Sequence, residues 1–288
     1  MGDKFAEGFI KLLYRGILFR DADESGLNDH IRRASTVADY KAAMLITREF
    51  LESEERRSLE QRLGLGSTVS LSIDALSYYR NVISIGCHCA TAGELKRFGL
   101  KPRSYPFDWI FSTIEMTAHC ITDDFSIFLD RSFHRRVSDE EKMFRSANAC
   151  QHIFYKEKFG VDFVFNHKDI TKSEEFSYYV RCVERFRAAL CSGEPTLLLA
   201  ISNDPLKSKE LNELALAIAP FQGVDALAVC LTPAQRLELS FEQIYSADKV
   251  IAFNFQSLGE AGPVKLNENV DEALLREFLI RFDKSKIL

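Results

Sequence analysis

Five apolar runs, at 82–86, 161–166, 196–202, 225–231 and 249–255, constrain the fold of this chain more than any other feature. Several are too continuous for a sheet with one wet face, and turn residues bound them, so they read as buried strands. Helical patterns separate the later runs, notably at 172–192 and 207–221. Strand and helix in alternation predict an α/β fold: a mostly parallel, multilayer domain.

Residues 1–62 have a different character. Phe5, Phe9, Leu12, Leu13, Ile17 and Leu18 recur at helical spacing, Asp21 to Gly26 supplies a turn, and further helices are predicted over 27–34 and 36–62. Gly64-Leu65-Gly66-Ser67-Thr68 follows as a short linker. The expected division is a small all-helical docking or adaptor domain over 1–62, followed by an α/β domain over 63–288. A unit of about 60 residues is near the lower limit for independent stability, so it should bury part of its apolar stripe against its neighbour. It is also the expected surface for a protein partner.

The formal charge of −5 argues against bulk attraction to nucleic acid or an anionic membrane. Lys96, Arg97, Lys101 and Arg103 form the best basic cluster, read as solvated cations at a helix end. No apolar run approaches the roughly 20 residues that span a bilayer. Met1 to Phe5 lacks a basic region leading into an apolar signal core. A cytoplasmic protein without a membrane span is the expectation. Seven cysteines are an odd number for a disulfide framework, and Cys182, Cys191 and Cys230 fall inside predicted elements as buried small hydrophobes. No metal is expected, because Cys87, His88 and Cys89 diverge and no second ligand pair accompanies them. No cofactor is expected either, since a single glycine between the first strand and Gly93 makes no dinucleotide fingerprint.

The chemistry concentrates where the strand Val82 to Ile85 breaks at Gly86 and delivers Cys89 to a predicted helix over Ala90 to Phe98. Free amides at a helix start favour thiolate, which makes Cys89 the candidate nucleophile. In open α/β sheets the site lies beyond the carboxyl ends of the strands. Cys87 to Cys89 follow the first strand, His167 and Asp169 follow Val161 to Phe165, Asn203 and Asp204 follow Leu197 to Ser202, and Asn254 ends Val250 to Phe253. A thiol nucleophile needs an imidazole to take its proton, and the imidazole needs a carboxylate or amide to orient it. The order Cys89, His167, then Asn203 or Asp204 fits. His88, His152 and His119 are rival bases, while His30 and His134 are expected on exposed surface. Cys87, His88, Asp108, Trp109, Asp169 and Asn254 are candidate substrate-binding residues. For Asp108, in Pro106-Phe107-Asp108-Trp109, the alternative is a structural plug bonded to backbone amides or an arginine.

Gly86, Cys89, Leu95, Gly99, Leu100 and Tyr105 to Trp109 form a pattern of strand, glycine, cysteine, helix and Tyr-Pro-Phe-Asp-Trp. A second block holds His152, Tyr155, Gly160, Phe165, His167 and Asp169, then Arg181, Glu184, Arg185 and Phe186. Together, over roughly 80–255, they resemble a bacterial family of uncharacterised proteins described as papain-like cysteine peptidases. That resemblance implies a cysteine-dependent hydrolase or acyl transferase acting on an amide, ester or thioester, in a small-molecule, peptide or glycan substrate. A papain fold would carry its histidine on an antiparallel half, whereas the alternation here favours a parallel sheet and is followed for the fold. Phe9, Leu13, Tyr14, Leu18, Arg20, Asp23, Gly26, Leu27, Phe50, Leu51, Ser53 and Glu54 resemble a small helical domain appended to bacterial glycosyltransferases. It motivates an alternative, a carbohydrate-pathway sugar-modifying transferase or a non-catalytic binding module.

Overall fold

The computed structural model describes residues 21–34, 78–141, 149–233 and 240–281, together with positions 7, 10, 11, 13, 14, 18, 46, 49, 50, 53–55 and 58. A five-stranded sheet forms the centre. Strand β1 (Asn81–Ser84) pairs in parallel with β4 (Thr196–Ser202), β4 with β5 (Val224–Pro233), and β5 with β7 (Val250–Ser257). The edge strand β6 (Ser240–Ser246) runs antiparallel to β7. A separate ribbon pairs β2 (His134–Arg136) with β3 (Cys150–His152). The sheet is therefore mostly parallel, as the alternation predicts.

Successive strand residues face opposite sides of a sheet, and the core divides accordingly. Ile83, Leu198, Ala200, Ala226, Ala228, Val250 and Ala252 face one cluster, while Val82, Leu197, Leu199, Ile201, Leu227, Val229, Ile251 and Phe253 face another. The alanine-rich face leaves depth for large rings. Phe107, Phe125, Phe128, Tyr155, Phe165, Tyr179 and Phe186 fill it, joined by helices α3 (Ile114–Thr122), α5 (Ser173–Cys191) and α6 (Ser208–Ile218). Each such ring contributes about 1.5–3 kcal/mol by leaving water. The opposite face is covered by α2 (Ala90–Arg97) and α7 (Asn269–Arg281), and Ile10, Leu13, Tyr14, Leu18, Ile46 and Phe50 belong to that same cluster. Phe278 of α7 stacks on Phe241 with centroids 4.1 Å apart. Among the described residues two further helices are α1 (Glu24–Ala34) and α4 (Ile153–Phe159). The expected linker at 64–68 and most of the helix expected over 36–62 lie outside the described residues.

Three sequence expectations need correction. The run 161–166 is not a strand: it forms turns, Phe163 has a positive φ of 53°, and Phe165 makes only an isolated bridge to Cys150. Val161, Val164 and Phe165 are apolar because the aromatic layer encloses them, which needs no ladder. Cys191 is exposed, because it closes α5 at the surface, whereas Cys182 and Cys230 are buried. His30 and His134 are half-buried and hydrogen-bonded to Gly26 O and Phe128 O.

In the order β1-β4-β5-β7 the parallel strands follow one another without reversal. The sheet thus offers no switch point at which loops diverge. The segments that meet at the carboxyl end of β1 therefore come from what is inserted, the long connection from β1 to β4.

Candidate active site

Cys89 caps the N-terminus of α2 and is 3% exposed. The chain turns into that helix at Gly86, where a Cβ would meet Thr91 Oγ1 at 2.0 Å, so only glycine permits the approach. Thr91 Oγ1 in turn accepts from Ile201 N of β4 at 3.0 Å. The loop is thereby fixed to the sheet. The loop after Phe165 returns over it, and His167 Nε2 lies 3.3 Å from Cys89 Sγ. His167 is otherwise exposed. Two side chains from unrelated positions thus meet at the carboxyl end of β1.

Burial pushes the Cys89 thiol up to about 11, opposed by its own backbone amide and reinforced by the negative charge of Asp108. At this helix start burial outweighs the amide and pushes the thiol up, where the sequence expectation was down, because the enclosed sulfur loses more hydration than the amide returns. Cys87 is likewise pushed up to about 11 by burial, against a hydrogen bond with Ser202. Burial pulls His88 down, Asp204 pulls it back up, and its Nδ1 is buried without a partner.

Asn203, expected as an orienter of the imidazole, is committed elsewhere: Nδ2 donates to Ala261 O at 2.9 Å and Oδ1 accepts from Ala261 N at 2.8 Å. Asp204 is exposed, and its carbonyl accepts from Ser202 Oγ. Both follow β4 as expected, but neither bonds His167. Asp169 closes its own turn, accepting from Thr171 N and Oγ1 and pairing with Arg136 at 3.6 Å. Asn254 is half-buried inside β7 rather than at its end, because the strand continues to Ser257. The geometry is a dyad among the described residues.

The rival bases have structural duties. His152 is fully buried, its Nδ1 accepts from Tyr155 N at the start of α4, and its Nε2 donates to Ile127 O. Burial lowers it to about 4. His119 packs on Phe154 with centroids 5.3 Å apart, and burial lowers it too.

Asp108 and Trp109 lie in the segment 105–112, and the Asp108 charge reaches Cys89. Asp108 Oδ2 accepts from Tyr105 N at 2.6 Å and pairs with Lys101 Nζ at 2.5 Å. Trp109 is half-buried with Lys101 Nζ 5.8 Å from its ring centroid. Asp108 thus matches the structural alternative, bonded to a backbone amide, with lysine in place of arginine. Burial pushes its carboxyl up to about 6, against the pull of Lys101. Phe111 N donates to Val164 O at 3.0 Å, while Ser112 N donates to Cys87 O at 3.0 Å and Ser112 Oγ to Gly86 O at 2.6 Å.

Of the basic cluster read as solvated, Lys101 is buried against Asp108 and Arg97 is forked onto Glu272 at 2.9 and 2.7 Å. Glu94, fully buried one turn below Cys89, accepts from Leu266 N at 2.7 Å. At Gly93 a Cβ would meet Val264 O at 1.8 Å, so the 259–266 segment lies directly on α2. Burial and the Glu272 charge push Glu94 up to about 7, from an ordinary 4.5. A raised carboxyl favours the fold below its ordinary range, and that contribution is lost as pH rises through about 7. Glu94→Gln keeps an acceptor for Leu266 and removes the titration. Melting curves should coincide near pH 4.5 and diverge by pH 8, the variant being more stable by roughly 1–3 kcal/mol. Equal stability at pH 8 would show that Glu94 carries no such penalty.

Among the described residues no group of three or more His, Cys, Asp or Glu is arranged to hold a metal ion, and no helix is long and apolar enough to cross a membrane. The molecule is an α/β protein in which an inserted loop brings an imidazole against a buried cysteine at a helix start. It belongs to the family described as "Putative papain-like cysteine peptidase (DUF1796)", which matches residues 80–223, half of the chain. That description is of a cysteine hydrolase. The chain is also similar to "Uncharacterized protein R408" of Acanthamoeba polyphaga mimivirus, 28% identical over 141 residues that cover 43% of this chain and 63% of the relative. The chain thus spans under two thirds of that relative, which is viral, whereas the sequence resemblance points to bacterial proteins. No solved structure matches.

Proposed function

We propose that the protein is a cysteine-dependent hydrolase or acyl transferase in which Cys89 is the nucleophile and His167 the base. One observation carries the reading: the 3.3 Å contact between two side chains 78 residues apart in sequence. Because the resting thiol is held neutral by burial, His167 Nε2 takes its proton as sulfur attacks the carbonyl carbon, not beforehand. The tetrahedral intermediate collapses by breaking the bond to the leaving amine, alkoxide or thiolate, which receives that proton from the imidazolium. An acyl-cysteine remains. Water then releases the acid, or another acceptor takes the acyl group, with His167 again accepting the proton.

The test uses p-nitrophenyl acetate with intact-mass and peptide-mass detection. The expected result is nitrophenolate release with a single acetyl group on Cys89, and no acetylation there in His167→Ala. Acetylation confined to exposed groups such as Cys191 or lysines would sink the reading.

A further inference from the structure

We infer that Ser112 is the positioning residue that sets the approach of Cys89 to His167; the inference rests on the dyad reading above. The two loops of the dyad come from distant parts of the chain, and the dipeptide Phe111–Ser112 touches both. Phe111 N donates to Val164 O, in the loop that ends at His167. Ser112 N donates to Cys87 O, and Ser112 Oγ donates to Gly86 O at 2.6 Å, in the loop that ends at Cys89. Ser112 is 4% exposed, so these bonds do not compete with water.

The geometry of the peptide unit gives the clamp its effect. Each peptide is planar and trans, so tying a carbonyl oxygen fixes the direction of the amide that follows it. With Gly86 O and Cys87 O held on the Ser112 side, the 86–87 and 87–88 planes cannot rotate. Only the 88–89 plane then separates the fixed segment from the residue that carries the thiol. On the other side, the Val164 bond joins the paired backbone bonds of Phe165 with Cys150 in holding the turn at 161–166. Two of the three bonds are made by backbone. The hydroxyl of Ser112 is the one part that a substitution removes cleanly.

The experiment measures iodoacetamide labelling of each cysteine by peptide mass spectrometry in the full chain, with exposed Cys191 as internal reference. Wild type, Ser112→Ala, Ser112→Thr, His167→Ala and the Ser112→Ala/His167→Ala double variant are compared. Ser112→Ala should slow Cys89 relative to Cys191 by about fivefold, the worth of one buried hydrogen bond. Ser112→Thr, which keeps the hydroxyl, should recover most of it. In the His167→Ala background the Ser112 substitution should have no further effect, because a residue acting through the pair cannot act once the pair is gone. Unchanged Cys89 labelling in Ser112→Ala, or an equal slowing in both backgrounds, would overturn the inference. So would faster labelling of buried Cys120 and Cys182, which would make Ser112 a general support of the fold. If His167→Ala itself leaves Cys89 labelling unchanged, the dyad reading fails first, and the two failures are told apart.

Discussion

Cys89→Ala is expected to abolish acyl transfer, with turnover falling by on the order of 10⁴ or more, the scale on which a nucleophile is lost. The fold should survive, since replacing a small buried side chain at a helix start costs about 1–2 kcal/mol. His167→Ala should fall nearly as far, and the double variant no further than the single ones, because nucleophile and base act as a unit. The pH profile of the wild type separates two versions of this chemistry. With the thiol pushed up to about 11, the thiolate fraction drops tenfold for each pH unit below that value, so alkylation of Cys89 should climb steadily from pH 7 to pH 10. A plateau reached below pH 7 would reveal a standing thiolate–imidazolium pair and refute the neutral resting thiol. Retained turnover in Cys89→Ala would remove the cysteine mechanism altogether.

The parts of this molecule that were legible in the sequence are those set by local pattern. Apart from Thr196, Ser202 and Asp225, the runs at 196–202 and 225–231 are apolar because both sheet faces are covered, and they appear as β4 and β5. Cys89 was legible because glycine, a thiol and a helix start lie within a few residues. His167 was reached for a partly mistaken reason: it follows a buried apolar run, but that run is a turn packed under the aromatic layer and not a strand. Periodicity cannot separate the two, since it reports burial and not hydrogen bonding. Strand β6 was missed because its edge position leaves Glu242, Gln243 and Ile244 exposed, so no apolar run marks it. Asn203 had the right position at a strand end and the wrong direction, and direction depends on the 259–266 segment, which folds back from the far end of the chain. Ser112 gave no signal, and Lys101 reads in the sequence as a solvated cation although it is paired with Asp108. A buried serine and a buried lysine look like solvent-facing residues until their partners are known.

Lys101→Met should destabilise the fold by roughly 1–3 kcal/mol at pH 8, the cost of a buried carboxylate without its cation, capped at about 1.36 kcal/mol for each pH unit above the Asp108 value of about 6. Lys101 and Asp108 are 6% and 1% exposed at the side chain, so water cannot take over the lost partner. The effect has a sign in pH. Asp108 already stands at about 6, above its ordinary 3.8, so its favourable contribution is present below 3.8 and lost as pH rises through 6. Without Lys101 the carboxyl rises further, and the loss extends to higher pH. Wild type and variant should therefore melt nearly together at pH 4, where Asp108 is protonated in both folded proteins and titrates alike in both unfolded ones, and separate progressively above pH 6. Lys101→Met/Asp108→Asn should restore most of the stability at pH 8, because the amide removes the charge that lost its partner. Urea titrations of the three proteins at pH 4, 6 and 8 measure this, and a pH-independent loss would mean that Lys101 acts through its packing on Trp109 and its bond to Arg103 O instead. The pair also reaches the thiol. Asp108 already pushes Cys89 upward, and removing its cation at pH 8 would leave more uncompensated negative charge beside the sulfur. Alkylation of Cys89 in folded Lys101→Met should then slow, and the added Asp108→Asn should reverse the slowing, which ties the buried ion pair to the reactivity of the site as well as to the stability of the fold.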